Sequence, residues 1–97
     1  MGRPERIVED YLRKICKKNN ILCYKFTSPG HAGVPDDVLI ANERTVFCEC
    51  KSETGKLRKI QEYRIKEMRE HGATVYVCNT RELVDEMLLH EFGVMKE

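Results

Sequence analysis

The sequence contains no tryptophan, few prolines and no long apolar run. None of its stretches approaches the ~18 consecutive apolar residues of a transmembrane helix, and residues 1–5 lack the apolar core of a signal peptide. Internal repeats, low-complexity segments and linkers are also absent from the sequence. At 97 residues the chain has room for one hydrophobic core. We therefore expect a single intracellular domain spanning residues 1–97, with no membrane partner.

The cysteines lack the spacing of a metal or disulfide framework. There are five of them, an odd number, and no two follow the CxxC pattern that is typical of zinc sites. Four lie in apolar or strand-like surroundings, where cysteine behaves as a small hydrophobic residue. We predict reduced thiols in the core at these positions: Cys16, Cys23, Cys48, Cys50 and Cys78.

The charges are balanced overall but unevenly distributed along the chain. The net charge is +1, yet residues 1–81 carry 16 basic and 11 acidic side chains, whereas residues 82–97 carry one basic and five acidic. A basic body with an acidic end is compatible with nucleic acid bound on one face.

Hydrophobic periodicity and turn residues predict seven elements. Helices are expected at about residues 4–18 and 57–71, and a third runs from a cap at Thr80 to about His90. Strands are expected at 21–27, 36–41, 45–51 and 73–78. The predicted fold class is therefore α/β, with the order α-β-β-β-α-β-α and a mixed central sheet flanked by helices.

The second and third predicted strands form a hairpin that brings two acids together. A two-residue loop at Asn42 and Glu43 places Asp36 opposite Glu49 on the same face of the sheet. Two like charges so placed repel each other, and a divalent cation between them reverses the sign of the interaction. Lys51 points to the same side, two residues beyond Glu49. The hairpin therefore predicts a metal-assisted catalytic site.

The same residues carry a resemblance to a known nuclease family. Pro35 and Asp36, followed by Glu49, Cys50 and Lys51 on the next strand, resemble the PD-(D/E)XK nuclease superfamily. A closer likeness, to the VRR-NUC family, covers about residues 5–88 and is carried by residues 25–30, 33–36, 49–51, 61, 72 and 75–77. It implies a restriction-endonuclease-like fold and a metal-dependent DNA endonuclease. Small members of the family are expected to act as homodimers on branched DNA such as Holliday junctions.

The resemblance also implies roles for the central residues. Asp36 and Glu49 would bind Mg²⁺ or Mn²⁺, helped by the backbone carbonyl of Cys50, and Lys51 would stabilise the transition state. An acid of the first helix would complete the site, with Glu9 as the first choice and Glu5 as its rival. For either acid the structural alternative is a solvated position on the helix face.

Other polar residues are assigned by position along the chain. Gln61 would hold the attacking water or a metal-bound one, unless it bonds only to the backbone. Arg64 would contact a phosphate, or else extend into solvent. Lys25, Ser28 and His31 would contact the DNA backbone, and His31 as a metal ligand is the less favoured alternative.

Asp37 departs from the family pattern, in which this position is often apolar or basic. An extra acid here could bind a metal through water or face solvent. Strand alternation sends it to the opposite face from Asp36, and we therefore expect it to face solvent.

Two rival functions remain open from the sequence. A non-catalytic nucleic-acid-binding module with the same fold predicts the loss of a catalytic acid or lysine, and none of Asp36, Glu49 and Lys51 is missing. A protein-interaction subunit predicts a large exposed apolar patch.

Overall fold

The computed structural model describes residues 4–94, and these form three helices around a four-stranded sheet. The order α-β-β-β-α-β-α and the mixed sheet confirm the predicted fold class. In chain order the elements are α1 (Pro4–Lys18), β1 (Leu22–Lys25), β2 (Asp37–Ala41), β3 (Arg44–Cys50), α2 (Lys59–Glu70), β4 (Val75–Cys78) and α3 (Arg81–Phe92).

The strands lie in the sheet in their chain order, β1-β2-β3-β4. The pairs β1–β2 and β2–β3 are antiparallel, while β3 and β4 are parallel because α2 crosses over between them. This topology places the start of β2 and the end of β3 at the same end of the sheet.

The β2–β3 hairpin has the predicted two-residue loop. Asn42 and Glu43 both adopt positive φ angles, of 50° and 62°, as a type I′ turn requires. Ala41 pairs with Arg44, and the ladder continues to the pair of Asp37 with Cys48. The predicted register is therefore confirmed, although regular strand geometry begins at Asp37, one residue after Asp36.

Helix ends also follow local sequence signals. Asn20, with a φ of 58°, and Gly72, with a φ of 97°, lie just beyond α1 and α2 in the left-handed region that ends helices. Thr80 caps α3 by accepting a hydrogen bond from the backbone N–H of Leu83 at 3.1 Å. The second helix begins two residues later than predicted because Arg58 is still extended.

The hydrophobic core fills the space between the sheet and the pair α1 and α3. It includes Leu12, Ile15, Leu39, Val46 and Leu88. All five cysteines are free thiols; four are buried and Cys23 is half-buried. Between residues 4 and 94 no helix has the length and apolar character to cross a membrane.

Candidate active site

Two acids meet where β2 begins and β3 ends. Extending the observed register by one residue places Asp36 opposite Glu49 on the face of the sheet that α2 covers. Glu49 is only 2 % exposed, and Asp36 is half-buried. The structure therefore brings together the two carboxylates that the hairpin argument paired.

Burial and mutual repulsion disfavour the charged forms of both acids. Burial, and then the negative charge of Asp36, raises the pKa of Glu49 to about 7, while Lys51 acts in the opposite direction. Burial also raises the pKa of Asp36; the charge of Glu9 adds to this effect, and those of Lys25 and Lys51 oppose it. Additional positive charge beside the pair would therefore favour the ionised forms of both carboxyl groups.

Lys51 supplies one positive charge at this point. Its Nζ lies 3.5 Å from Glu49 Oε2, and its side chain is largely buried. The backbone N–H of Lys51 donates to the carbonyl of Cys78 at 2.9 Å, which continues the pairing of β3 with β4. The sheet therefore fixes the backbone from which the ammonium group reaches the acids.

Gln61 connects Glu49 to the start of α2. Its Nε2 donates to Glu49 Oε2 at 3.0 Å, and its Oε1 accepts from the backbone N–H of Arg58 at 2.8 Å. The bond to the backbone, weighed as the alternative, is present, and the same buried amide also contacts Glu49; a role of Gln61 in holding a water stays a prediction. Gln61 fixes the orientation of the Glu49 carboxylate.

The donor set fits a hard divalent cation. Within residues 4–94, Glu49 Oε1 is buried and has no hydrogen-bond partner, which is costly unless another ligand satisfies it. Asp36 lies beside it, and Cys50 lines the adjoining cavity. No group of three or more His, Cys, Asp or Glu side chains in the described part of the chain forms a ready-made metal site. Two carboxylates supplemented by a backbone carbonyl and waters suit Mg²⁺, which keeps several waters.

The cavity at this end of the sheet has a volume of about 400 Å³. It lies between α1 and the ends of the strands, and it is lined by Glu5, Arg6, Glu9, Lys25, Asp36 and Cys50. Both acids proposed from the first helix therefore reach the same cavity as Asp36, and so does the predicted DNA contact Lys25.

Glu9 is already paired with two cations of the protein. Its Oε2 accepts from Lys25 Nζ at 2.9 Å and from Arg13 Nη2 at 3.4 Å. Burial alone would raise the pKa of Glu9, but hydrogen bonds with Asp37 and Lys25 and the charges of Lys25 and Arg13 outweigh it and lower the pKa to about 2. Glu9 is therefore a permanently ionised carboxylate.

The expectation that Asp37 faces solvent was wrong. Asp37 does lie on the opposite face from Asp36, but α1 covers that face, and its side chain is 0 % exposed. Its Oδ1 accepts a hydrogen bond from Arg13 Nη2 at 2.5 Å. Burial raises the pKa of Asp37 to about 8, and a hydrogen bond with Glu9 and the charge of Glu9 act in the same direction.

Arg13 was not predicted as part of the site, although the sequence contains a signal for it. Arg13 lies four residues after Glu9 on α1, the spacing at which opposite charges pair on a helix. That pairing could have indicated a polar cluster on the face of α1 that meets the sheet.

The remaining predicted DNA contacts, Ser28, His31 and Arg64, lie on the loop before β2 and on α2 beside it. Ser28 Oγ and His31 Nδ1 are 3.4 Å apart on the exposed surface of the loop. Arg64 donates from Nε to the carbonyl of Ala32 at 3.0 Å and from Nη1 to Glu67 Oε1 at 2.8 Å, so it holds the loop rather than extending freely into solvent. None of these three predicted contacts lines the cavity.

Gly33 allows this loop to approach α2 closely. Its φ is +89°, and a Cβ atom there would lie 2.6 Å from the carbonyl oxygen of Ile60. A larger residue would therefore displace the loop from the helix.

Three comparisons relate this chain to known proteins. The family model described as "VRR-NUC domain" matches residues 4–82. The candidate nuclease p44 of Acyrthosiphon pisum secondary endosymbiont phage 1 is 34 % identical over 86 residues, which cover 81 % of this chain and 86 % of that protein. A solved structure described as "VRR_NUC domain" superposes with a TM-score of 0.83 at 25 % identity, covering 92 % of this chain and 98 % of the other.

Proposed function

Because this chain belongs to the VRR-NUC family of nuclease domains, we propose that it is an endonuclease that hydrolyses DNA phosphodiester bonds with a bound divalent cation. We infer the metal dependence from the surroundings of the two carboxylate oxygens of Glu49. One of its carboxylate oxygens is held by Gln61, and the other is buried without a protein partner beside Asp36. This arrangement is costly for a protein without a metal and favourable for one that binds a cation.

The chain offers three groups that would hold the ion. They are the carboxylates of Asp36 and Glu49 and the backbone carbonyl of Cys50, and their hard oxygen atoms suit Mg²⁺ or Mn²⁺. When bound, such an ion acidifies water and polarises a phosphoryl oxygen. Gln61 keeps Glu49 in one orientation, which preserves the donor geometry between reaction cycles.

Lys51 would act on the reacting phosphate. Its ammonium group is anchored beside Glu49 and is therefore in place before the negative charge of the transition state develops. A preorganised charge of this kind typically contributes about 10²–10³ in rate.

DNA would enter from the cavity side, where Lys25 offers a cation to the phosphate backbone. Ser28 and His31 would contact a neighbouring phosphate from their exposed loop. Arg64 would support this contact mainly by fixing the loop through Ala32. Glu9, or alternatively Glu5, would complete the acidic wall of the cavity.

We further propose that the substrate is branched DNA and that two copies of the chain act together inside the cell. None of the described helices combines clustered arginine and asparagine side chains of the kind that read base edges, so shape and backbone contacts are the available means of selection. Leu22, Tyr24 and Ile40 lie on one face of β1 and β2 and are 50 %, 57 % and 36 % exposed. This apolar patch is the surface that we assign to the dimer.

A cleavage assay tests the chemistry. Labelled linear, flap and four-way-junction DNA would be incubated with Mg²⁺ or with EDTA, using the wild-type protein, Asp36→Asn, and Asp10→Asn as a control in an exposed acid of α1. We expect cleavage only with the metal, loss of cleavage in Asp36→Asn, and normal cleavage in the control. Binding without cleavage by the wild-type protein would instead support the non-catalytic binding module.

The same assay tests substrate choice. Equal cleavage rates on all three DNAs would refute the preference for branched DNA while leaving the nuclease intact.

Sedimentation tests the dimer. We expect the wild-type protein to sediment as a dimer and Tyr24→Lys to sediment as a monomer, because a charge placed in the apolar patch opposes its burial. A wild-type protein that is monomeric at every concentration would refute the assignment.

A further inference from the structure

A chain of polar contacts runs from the buried face of β2 to the mouth of the cavity. Asp37 Oδ1 accepts from Arg13 Nη2 at 2.5 Å, Arg13 Nη2 lies 3.4 Å from Glu9 Oε2, and Glu9 Oε2 accepts from Lys25 Nζ at 2.9 Å. We call this set of four side chains the lysine bracket. Its inner end is inaccessible to solvent, while the side chain of Lys25 is 56 % exposed.

Burial of Asp37, the inner end of the lysine bracket, lowers the stability of the folded protein. Asp37 is wholly buried although it carries a carboxyl group, and replacing a buried ion pair with apolar residues of similar volume often leaves stability unchanged or increases it. Stability alone therefore gives a weak reason for Asp37 and Arg13 to occupy these positions. Their contacts instead determine where Glu9 lies.

The outer end would otherwise be mobile. A lysine side chain has four rotatable bonds and loses considerable entropy when a ligand fixes it. Lys25 is the β1 residue that pairs with Asp37 on β2, so its backbone is fixed by the sheet. Its ammonium group is directed by Glu9, which is itself held by Arg13 one helical turn further along α1.

We propose that Arg13 and Asp37 are positioning residues that hold Glu9 and, through it, the ammonium group of Lys25 at the mouth of the cavity, ready to receive a DNA phosphate. This inference rests on the proposed function, since it assigns the phosphate contact of the same site. It gives Glu9 a task that does not involve a metal ion: Glu9 orients a cation of the protein. Preorganisation of this kind increases affinity because the ordering cost is met before the ligand arrives.

The first test measures DNA binding. Fluorescence anisotropy with a labelled four-way junction in EDTA, where cleavage does not occur, would compare the wild-type protein, Lys25→Met, the charge-neutral double variant Arg13→Met/Asp37→Leu, and the triple variant. The measurement is made at pH 9, above the pKa of about 8 of Asp37, where the double variant removes one positive and one negative charge and leaves the net charge of the protein nearly unchanged.

We expect Lys25→Met to reduce the slope of log affinity against log salt by about 0.9, the value for one phosphate contact. The double variant should lose a large part of the same contact, and the triple variant should be no worse than Lys25→Met alone, because the residues act through that lysine. An unchanged salt slope in the double variant would overturn the proposal. So would a triple variant that loses as much binding free energy as Lys25→Met and the double variant together.

The second test does not depend on DNA. The rate at which an amine-reactive reagent modifies Lys25 would be followed by mass spectrometry of peptides. We expect modification up to about fivefold faster in the double variant, as release from an exposed ion pair allows. Arg44→Met is the matched control, because it breaks another arginine–carboxylate contact, with Glu91 at 3.0 Å, at the opposite end of β3.

The two tests separate the possible failures. Absence of DNA binding by the wild-type protein would refute the proposed function, while the modification rate would still decide whether the lysine bracket holds Lys25. An unchanged modification rate would overturn the bracket even if DNA binds. If the double variant does not fold, Asp37→Asn keeps the side-chain shape, and the same direction of both results is expected for it.

Discussion

Replacing Glu49 with glutamine is expected to abolish cleavage and, at alkaline pH, to stabilise the metal-free protein. In the folded protein the pKa of Glu49 is raised from 4.5 to about 7, first by burial and then by Asp36. A carboxyl group whose pKa is raised by folding stabilises the folded protein fully at a pH below its pKa in the unfolded chain. That stability is lost as the pH rises through its pKa in the folded protein. The wild-type protein should therefore become less stable between about pH 4.5 and pH 7 as this group ionises. Glutamine at this position removes the effect.

The size of the stability gain in Glu49→Gln follows from the shift in the pKa of Glu49. A difference of one pKa unit corresponds to about 1.4 kcal/mol, so the shift from 4.5 to about 7 gives Glu49 at most roughly 3.5 kcal/mol above pH 8. Relaxation around the charge reduces this, and about 2 kcal/mol is a reasonable expectation for a largely buried group. In a domain of this size that corresponds to an increase in Tm of roughly 10 °C. The amide oxygen of the new side chain still accepts a hydrogen bond from Gln61 Nε2, so the local geometry is retained.

Thermal unfolding at pH 5 and pH 8.5, with EDTA or with Mg²⁺, measures the effect. We expect Glu49→Gln to unfold at a higher temperature than the wild type at pH 8.5 in EDTA, with a much smaller difference at pH 5. Added Mg²⁺ should raise the Tm of the wild type at pH 8.5 but not that of the variant, because ligands that bind only the folded state stabilise it. A variant that is destabilised at pH 8.5, or one that gains equally at both pH values, would refute the electrostatic explanation.

Three further substitutions test separate parts of the structure. Gln61→Leu should weaken Mg²⁺ affinity about 10- to 100-fold in a calorimetric titration, because it removes the bond that orients Glu49; an unchanged affinity would contradict the positioning role. Lys51→Met should lower kcat about 10²–10³-fold with much smaller loss of DNA binding in EDTA, and an equal loss in both would make Lys51 a binding residue only. Thr80→Ala removes the cap of α3 and should cost about 1 kcal/mol in chemical denaturation, with normal cleavage by the folded protein. Loss of cleavage by the folded Thr80→Ala variant would indicate that α3 is coupled to the active site, which the fold gives no reason to expect.

Local signals in the sequence were sufficient for much of the site. The two residues of the β2–β3 turn determine the register, and the register determines that Asp36 and Glu49 share a face. The cap at Thr80 and the left-handed residue Gly72 similarly set the ends of helices. Each of these features depends on residues close together in the chain, and for that reason periodicity and turn chemistry could predict them.

Contacts between distant segments could not be predicted in the same way. Alternation correctly assigned Asp37 to the face opposite Asp36, but it contains no information on whether a helix covers that face. The partner of Asp37 is Arg13, 24 residues earlier in the chain, and the pairing appears only when α1 packs against the sheet. The same limitation applies to Gln61, whose bond to Glu49 joins α2 to β3.

The two consecutive aspartates show how the fold gives similar side chains different chemistry. Asp36 lies beside Glu49, where a buried carboxylate oxygen lacks a protein partner and the nearby ammonium group of Lys51 is shared with Glu49. Asp37 lies on the other face, where Arg13 contacts one of its carboxyl oxygens, while the other is buried without a hydrogen-bond partner among the described residues. The first environment pairs two carboxyl groups beside the cavity and leaves a need for a cation from solution, while the second already contains the guanidinium group of Arg13. Metal binding is therefore expected to depend on Asp36 much more strongly than on Asp37, and a calorimetric titration in which Asp37→Asn lost Mg²⁺ as completely as Asp36→Asn would show that the two faces are not chemically separate.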